Sequence, residues 1–149
     1  MNSKDIGNIG EAKTLCKFIE LGIPVYVPFG DNNKSDLVAE FNGKLNRIQV
    51  KTAEKTEDGA VCFRTKATTR NSKNYKDSFY TKNEIDYFAL YSMAVDKIFL
   101  VPVEDVTSGF FTIRLTKPKN NQCKGIHFMN DYLIENIFDF NTSILNQAP

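Results

Sequence analysis

The 149-residue sequence contains no tryptophan, a single histidine and only three cysteines. Cys16, Cys62 and Cys123 are too few and too widely spaced for a disulfide framework or a paired zinc motif, so we expect small buried apolar side chains in a reducing compartment. No apolar run approaches the ~20 residues of a membrane-spanning helix, which predicts no membrane partner. The first ten residues lack the basic and apolar regions of a signal peptide, which predicts a cytoplasmic protein.

The remaining composition is that of a soluble globular domain, with 42% hydrophobic and 25% charged residues. A chain of about 150 residues can bury about two thirds of its unfolded surface, so a core can form without disulfides or a structural metal. Twelve Phe and six Tyr supply much of that core. We therefore predict one domain over residues 1–149.

The net charge is only +1, which by itself argues against a protein that binds polyanions. The charges are nevertheless segregated along the chain. Residues 44–82 carry +6 and residues 112–127 carry +4, whereas residues 1–43, 83–111 and 128–149 carry −2, −4 and −3. Such runs are either solvated faces or basic elements for a nucleic acid.

The clearest local signal is a β-hairpin centred on Asn42-Gly43, a pair that tolerates the positive φ angles of a type I′ turn. If these two residues form the loop, opposed residue numbers sum to 85, and Asp36 lies opposite Gln49. Strand alternation then returns Lys51 to the same face. The hairpin thus predicts a cluster of a carboxylate, an amide and an ammonium.

The other elements are predicted from periodicity and from turn residues. Apolar residues at 9, 12, 15, 16 and 19 predict a helix with Asn8 as its cap and Gly22 at its end. Strands are predicted at residues 23–29 (short or at an edge), 61–67, 86–92, 97–103 and 109–116, and a second helix at residues 130–138 with Asn130 as N-cap. For residues 68–83, the sequence predicts a long loop or a poorly regular helix.

The residues around the hairpin suit a divalent cation that hydrolyses a phosphodiester. Asp36 offers a carboxylate, the Gln49 side chain and the Val50 carbonyl offer neutral oxygens, and Lys51 could orient water or stabilise developing charge. Glu11, expected in the first helical turn, is a further candidate. The alternative is an exposed ion pair worth less than ~1 kcal/mol, with Glu11 complementing the helix dipole.

The order GNIGEAKTLCKFIELG, SDLV and IQVK resembles the PD-(D/E)XK nuclease superfamily, and most closely its group I intron homing endonucleases. Archaeal-type Holliday junction resolvases are more distant relatives. The resemblance extends from about residue 7 to 104, through IDYFALYS and DKIFLVPVED. It implies an α/β (α+β) fold with a restriction-endonuclease-like core over about residues 7–105, in which a mixed β-sheet is flanked by helices, and a C-terminal elaboration over residues 106–149.

The resemblance also implies a catalytic set of Glu11, Asp36, Gln49 and Lys51, with Mg²⁺ (or Mn²⁺) held by Glu11, Asp36, Gln49 and Val50. Two positions depart from the family pattern. Ser35 stands in place of proline, where only the backbone path is affected. Gln49 stands where Asp or Glu is usual, and its neutral amide should weaken the affinity for a hard cation.

Basic and aromatic side chains after the hairpin are the candidates for nucleic-acid contact, since they would neutralise phosphates beside an acidic metal site. They are Arg64, Lys66, Arg70, Lys73, Tyr75, Lys76 and Tyr80. The basic residues at 114–124 are either another DNA-contacting loop or solvated surface.

Three functions are compatible with these residues. The first is a magnesium-dependent, homing-type endonuclease that makes double-strand breaks in DNA and works as a homo-oligomer, either dimer or tetramer, because one such site cuts one strand. The second is a Holliday junction resolvase or DNA repair nuclease that recognises shape. The third is a DNA-binding module in which Gln49 marks a decayed, metal-free site.

Overall fold

The computed structural model describes residues 1–71 and 73–138. Their helices and strands follow the order α, eight β, a 3-10 turn, two β and α. The elements are α1 (Ser3–Glu20), β1 (Val25–Tyr26), β2 (Leu37–Phe41), β3 (Lys44–Ala53), β4 (Ala60–Arg64), β5 (Ala67–Asn71), β6 (Asn74–Ser78), β7 (Tyr87–Ser92), β8 (Lys97–Pro102), the 3-10 turn Val103–Asp105, β9 (Phe110–Arg114), β10 (His127–Phe128) and α2 (Met129–Tyr132).

The central sheet has the strand order β1-β2-β3-β7-β8. Its middle pair, β3 and β7, is parallel, and the other pairs are antiparallel. One apolar core includes Phe18 of α1 and residues of the sheet, and a second joins β7 and β8 to β4 and β9 of the small sheet β10-β9-β4. The predicted α/β (α+β) fold with a mixed sheet flanked by helices is confirmed.

The β2–β3 hairpin has the predicted turn and register. Asn42 and Gly43 have φ angles of 54° and 73°, and Phe41 pairs with Lys44 at the head of the ladder. Beneath the turn, the buried Asn46 amide donates hydrogen bonds to three main-chain carbonyls of the hairpin. This amide holds the turn closed from inside, so the register is fixed at both the loop and the core.

The first helix begins earlier than predicted. Its N-cap is Asn2, not Asn8, because the Asn2 side chain accepts hydrogen bonds from two main-chain N–H groups and the Asp5 carboxylate accepts one from the Asn2 N–H. Gly22 follows the C-terminal end with a φ angle of 70°, as predicted. Glu11 therefore lies in the middle of α1, where the helix dipole gives it no special role.

The buried face of α1 matches the predicted apolar stripe only in part: Ile9 and Leu15 are partly buried against the core. Gly10, Thr14 and Phe18 are buried, whereas Ile19 is 63% exposed. The reason is a close approach of the helix to β3: a Cβ atom on Gly10 would lie 1.9 Å from the Thr52 hydroxyl oxygen. The face of α1 that packs on β3 is therefore determined by a residue without a side chain, and apolar spacing in the sequence does not reveal such a contact.

Gly10→Ala is expected to lower the free energy of unfolding by about 1–3 kcal/mol, because the helix must move away from β3. Rotation of the Thr52 side chain does not relieve the clash fully, since its Cβ atom is also 3.3 Å away. Gly7→Ala in the same helix is the matched control: nothing lies within 4 Å of its Cβ position, so it should be neutral or stabilising. Urea denaturation measures both, and equal stabilities would show that the close approach is absent.

Four further predictions about local structure were wrong in whole or in part. Residues 68–83 contain the β5–β6 hairpin, and the strand predicted at 61–67 ends at Arg64. The second helix has Phe128, not Asn130, as N-cap, and it is interrupted at Leu133 before residues 134–138 are helical again. All three cysteines are exposed, so they do not act as core residues.

The strands at β7, β8 and β9 are found where the pattern predicted them, and Asp96 occupies the turn between β7 and β8 with a φ angle of 50°. β1 is short and pairs only with β2 at the sheet edge, as its prolines predicted. Within residues 1–71 and 73–138, no helix is long and apolar enough to cross a bilayer. Residues 139–149 of the predicted C-terminal elaboration lie outside the described residues.

Candidate active site

The candidate site lies where β2 ends and β3 continues. β2 pairs with β3 only as far as Leu37 and Ile48, whereas β3 runs on to Ala53 and stays paired with β7 on its other edge. The edge of β3 that follows Ile48 therefore presents main-chain groups that no β2 residue pairs through the regular ladder. These groups need other partners.

Asp36 supplies one of those partners. Its main-chain N–H donates to the Ile48 carbonyl, and its carboxylate Oδ2 accepts from the Val50 N–H at 2.8 Å. The same oxygen accepts a short hydrogen bond from the Gln49 amide. Burial raises the pKa of Asp36, although these two donors and the nearby Lys51 ammonium oppose the rise.

Gln49 closes the arrangement from the opposite strand. Its side chain is only 8% exposed, and its Nε2 donates to the Val50 carbonyl oxygen at 3.1 Å as well as to Asp36. The amide thus donates to two oxygens, of Asp36 and Val50, whose residues were predicted from the sequence as metal ligands. Both oxygens are hydrogen-bond acceptors, so a hydrogen-bond donor or a cation between them is favourable. An unprotonated carboxylate in the same place would be unfavourable.

Lys51 is directed toward a different set of partners. Its Nζ donates to the Lys66 main-chain oxygen at 3.2 Å and lies 3.5 Å from the Tyr80 hydroxyl and 5.1 Å from that ring's centroid. Burial lowers the pKa of Lys51, and the Asp36 carboxylate opposes this effect. Burial, with Asp36 and Glu84, raises the pKa of Tyr80 to about 12, so this phenol keeps its proton at neutral pH.

Glu11 reaches the same cleft from α1. The cleft is lined by Glu11, Asp36, Gln49, Val50 and Lys51, together with Thr52, Glu54 and the start of α1. Partial burial and the charge of Asp36 raise the pKa of Glu11, as expected for two carboxylates that approach each other without a cation between them. The structure therefore brings all five predicted catalytic and metal-binding residues to one place.

The predicted nucleic-acid residues fall into three groups. Arg64 and Lys66 both approach Asp77, at 2.9 and 3.6 Å. Lys73, Tyr75 and Lys76 are exposed on the β5–β6 hairpin, and the backbone of Arg70 is in β5 while its side chain lies outside the described part. Tyr80 is half-buried against Lys51 rather than on that hairpin.

Two features of the site were not predicted from the sequence. The Lys66 carbonyl holds the Lys51 ammonium, but a main-chain oxygen is common to every residue and leaves no sequence signal. Glu54, three positions after Lys51, also lines the cleft. Its acidic side chain close to the predicted lysine is a signal from which the sequence could have identified it as a site residue.

The cleft provides oxygen atoms of the kind that hard divalent cations prefer: carboxylates of Glu11 and Asp36 and the main-chain carbonyl of Val50. No cluster of three or more Asp, Glu, His or Cys side chains suited to a metal occurs in the described ranges of the chain. Gln49 accounts for this, because it occupies the position where the family pattern has a third carboxylate.

Comparison with known proteins identifies the family of the chain and a similar fold. A comparison with curated proteins gives no match. Among solved structures, the chain is similar to the bacterial homing endonuclease I-Ssp6803I, with a TM-score of 0.74, 22% sequence identity and complete coverage of both chains, which is a similarity of fold. The model of the PD-(D/E)XK endonuclease family matches residues 1–135, and the chain therefore belongs to that family.

Proposed function

We propose that this protein is a site-specific, homing-type DNA endonuclease that hydrolyses phosphodiester bonds with a divalent metal and makes double-strand breaks. The observation that carries the proposal is the single cleft that contains Glu11, Asp36, Gln49, Val50 and Lys51. Family membership supports a DNA endonuclease. The similar fold of a protein described as a homing endonuclease supports the homing type.

Mg²⁺, or Mn²⁺ in its place, would be held by Asp36, Glu11 and the Val50 carbonyl, with the Gln49 side-chain oxygen as a neutral ligand. The donor set fits such a cation, because two carboxylates, of which Asp36 raises the pKa of Glu11, face the same cleft as a strand edge without regular ladder partners. When bound, the cation supplies charge that polarises a phosphoryl oxygen and activates water.

The residues of the chain prepare that chemistry. Asp36 is fixed by the Val50 N–H, so its free oxygen has a defined direction. The Lys51 ammonium is held by the Lys66 carbonyl and the Tyr80 hydroxyl, from where it would donate a hydrogen bond to a phosphoryl oxygen or to the attacking water. Burial of both charges reduces screening by water and strengthens their effect on a transition state.

Contacts to double-stranded DNA would come from the basic and aromatic residues that flank the cleft. These are Arg64, Lys66, Arg70, Lys73, Tyr75 and Lys76, with Tyr80 beside Lys51. Each site of this kind cuts one strand, so two symmetric cuts require a homo-oligomer, dimer or tetramer. The single-domain organisation over residues 1–149 and the cytoplasmic location stay predictions.

Incubation of the purified full chain with a library of supercoiled plasmids that carry random inserts tests the proposal, because a site-specific enzyme cuts only the plasmids that contain its target. With Mg²⁺ or Mn²⁺ we expect nicked and then linear DNA, and with EDTA no cleavage. Asp36→Asn should lose this activity, whereas Glu40→Gln, an exposed acid on the same strand pair, should keep it. Light scattering of the same preparation measures the oligomeric state.

The other functions are distinguishable in the same assay. Cleavage of a cruciform but not of linear duplexes carrying any sequence would support a junction resolvase. DNA binding without nicking by either metal would support the decayed binding module, which Gln49 favours because it removes one carboxylate from the site.

A further inference from the structure

The β5–β6 hairpin forms a two-stranded sheet of its own, separate from the central and small sheets. Apart from residues 70–72, whose side chains lie outside the described part, its strand and turn residues are mostly exposed. A strand pair that covers no core gains little from apolar burial, so its stability depends on polar anchoring. We call residues 67–78 the ribbon.

One face of the ribbon is anchored to the protein. Thr68 and Asp77 are directly opposed, and their side chains share a hydrogen bond of 3.1 Å. Arg64, at the end of β4, donates to both of them, at 2.8 and 2.9 Å. The Lys66 ammonium lies 3.6 Å from the other Asp77 oxygen. Asp77 is thus the ribbon's single acid, and it is neutralised by two basic side chains.

The other face is not part of this anchor. Thr69 and Lys76 form the next directly opposed pair, so their side chains point away from the face that carries Asp77. Both are exposed, as is Asn74 near the turn. We call Thr69, Asn74 and Lys76 the outer face. Its hydroxyl, amide and ammonium groups are of the types that bind base edges.

We propose that the ribbon enters the major groove of the DNA substrate and that its outer face reads base edges there. This inference rests on the proposed function, which makes duplex DNA the substrate. The major groove, about 12 Å wide and 8.5 Å deep, admits a two-stranded ribbon. Five residue pairs give a ribbon of about 17 Å, which is long enough to reach the groove floor.

The charge balance favours this placement. The segment 64–78 contains five basic residues and one acid, Asp77, which Arg64 and Lys66 already pair. The excess positive charge would offset the repulsion between phosphates and the carboxylates of the cleft. Exposed apolar side chains at the base, Phe79 and Phe110, flank the Lys66 ammonium at 5.7 and 5.9 Å and help to keep that residue in place.

The ribbon is also directly connected to the candidate active site. Lys66, whose carbonyl accepts the hydrogen bond from Lys51, immediately precedes the first ribbon residue. A base contact made by the outer face would therefore have a fixed position relative to the cleft. The outer face would therefore recognise DNA bases close to the phosphodiester bond that is cut.

Selection from a library of random DNA duplexes tests the inference, with the full chain and no added divalent cation so that the DNA stays intact. We expect one enriched motif. Replacing motif purines by 7-deazapurines, which lack the major-groove N7 acceptor, should weaken binding about 10-fold or more, whereas inosine in place of guanine, which alters the minor groove, should have little effect.

The variant Thr69→Ala/Lys76→Ala should lose preference at a block of adjacent motif positions, so its affinity for the motif should fall by a larger factor than its affinity for unrelated duplexes. Lys97→Ala, at an exposed lysine that begins β8, is the matched control and should keep the motif. Interference by inosine alone, or equal loss of binding to every duplex in the double variant, would overturn the inference.

The outcome is separable from that of the proposed function. An enriched motif that depends on the outer face, together with no cleavage of a plasmid that carries this motif, would support the ribbon and contradict the nuclease. Plasmid cleavage without any enriched motif would support the nuclease and contradict the ribbon.

Discussion

Lys51→Met is expected to slow DNA cleavage by about 10²–10³-fold, the usual effect of removing one positioned donor from a charge-stabilising site. The Lys51 ammonium is buried beside Asp36 and is directed by the Lys66 carbonyl and the Tyr80 hydroxyl. Methionine has a similar length and no charge, so packing is retained while the donor is lost. Rates are measured by single-turnover conversion of a supercoiled plasmid that carries the target site to its nicked form.

The control for this variant is Lys97→Met, which removes an exposed lysine that does not line the cleft and should cleave at the normal rate. Thermal unfolding should show that Lys51→Met is folded, because removal of a buried charge also removes its desolvation cost. DNA affinity should change little. Cleavage by Lys51→Met within a few fold of the parent rate would exclude the assigned role.

Local signals were sufficient to predict the hairpin that builds the site. The Asn42-Gly43 pair sets the turn, and the turn sets the register down to Leu37 and Ile48, next to Asp36 and Gln49, because strand pairing is periodic. The predicted juxtaposition of Asp36, Gln49 and Lys51 therefore needed no knowledge of the rest of the fold. Glu11 was placed by family resemblance, since no local rule shows where a helix packs.

The ribbon could not be predicted from apolar periodicity. A strand pair without a buried face has no reason to alternate apolar and polar residues, and its turn around residues 71–74 lacks an Asn-Gly or Asp-Gly pair. The pairing of Arg64 and Lys66 with Asp77 also depends on this hairpin. Charge counts along the chain therefore overestimated the free positive charge of that segment.

The face of α1 was missed for a related reason. Hydrophobic spacing emphasised residues such as Ile19, whereas the contact with β3 is set by the absence of a side chain at Gly10. A glycine in a helix is ambiguous in sequence, because it lowers helix stability wherever it occurs and has a packing role only in particular tertiary contexts. Only the approach of Thr52 distinguishes Gly10 from Gly7.

Gln49→Glu is expected to make the stability of the protein depend on Mg²⁺. Without the cation, the glutamate cannot donate to the oxygens of Asp36 and Val50 and adds a like charge, so the free energy of unfolding should fall by about 1–3 kcal/mol. With the cation, a carboxylate is a stronger ligand than an amide. Saturation at about 100 times the dissociation constant would restore about 2.7 kcal/mol.

Thermal unfolding at increasing Mg²⁺ concentrations measures this coupling, and Gln122→Glu, at an exposed loop position, is the matched control whose response should equal that of the parent protein. A deficit in Gln49→Glu that is the same at every Mg²⁺ concentration would place Gln49 outside the metal site and leave it a purely structural donor. A deficit that disappears on Mg²⁺ addition would show that the Gln49 amide occupies, in the metal-free protein, the place of a cation. The neutral Gln49 side chain would then donate hydrogen bonds to the acceptor oxygens of Asp36 and Val50 until the metal binds.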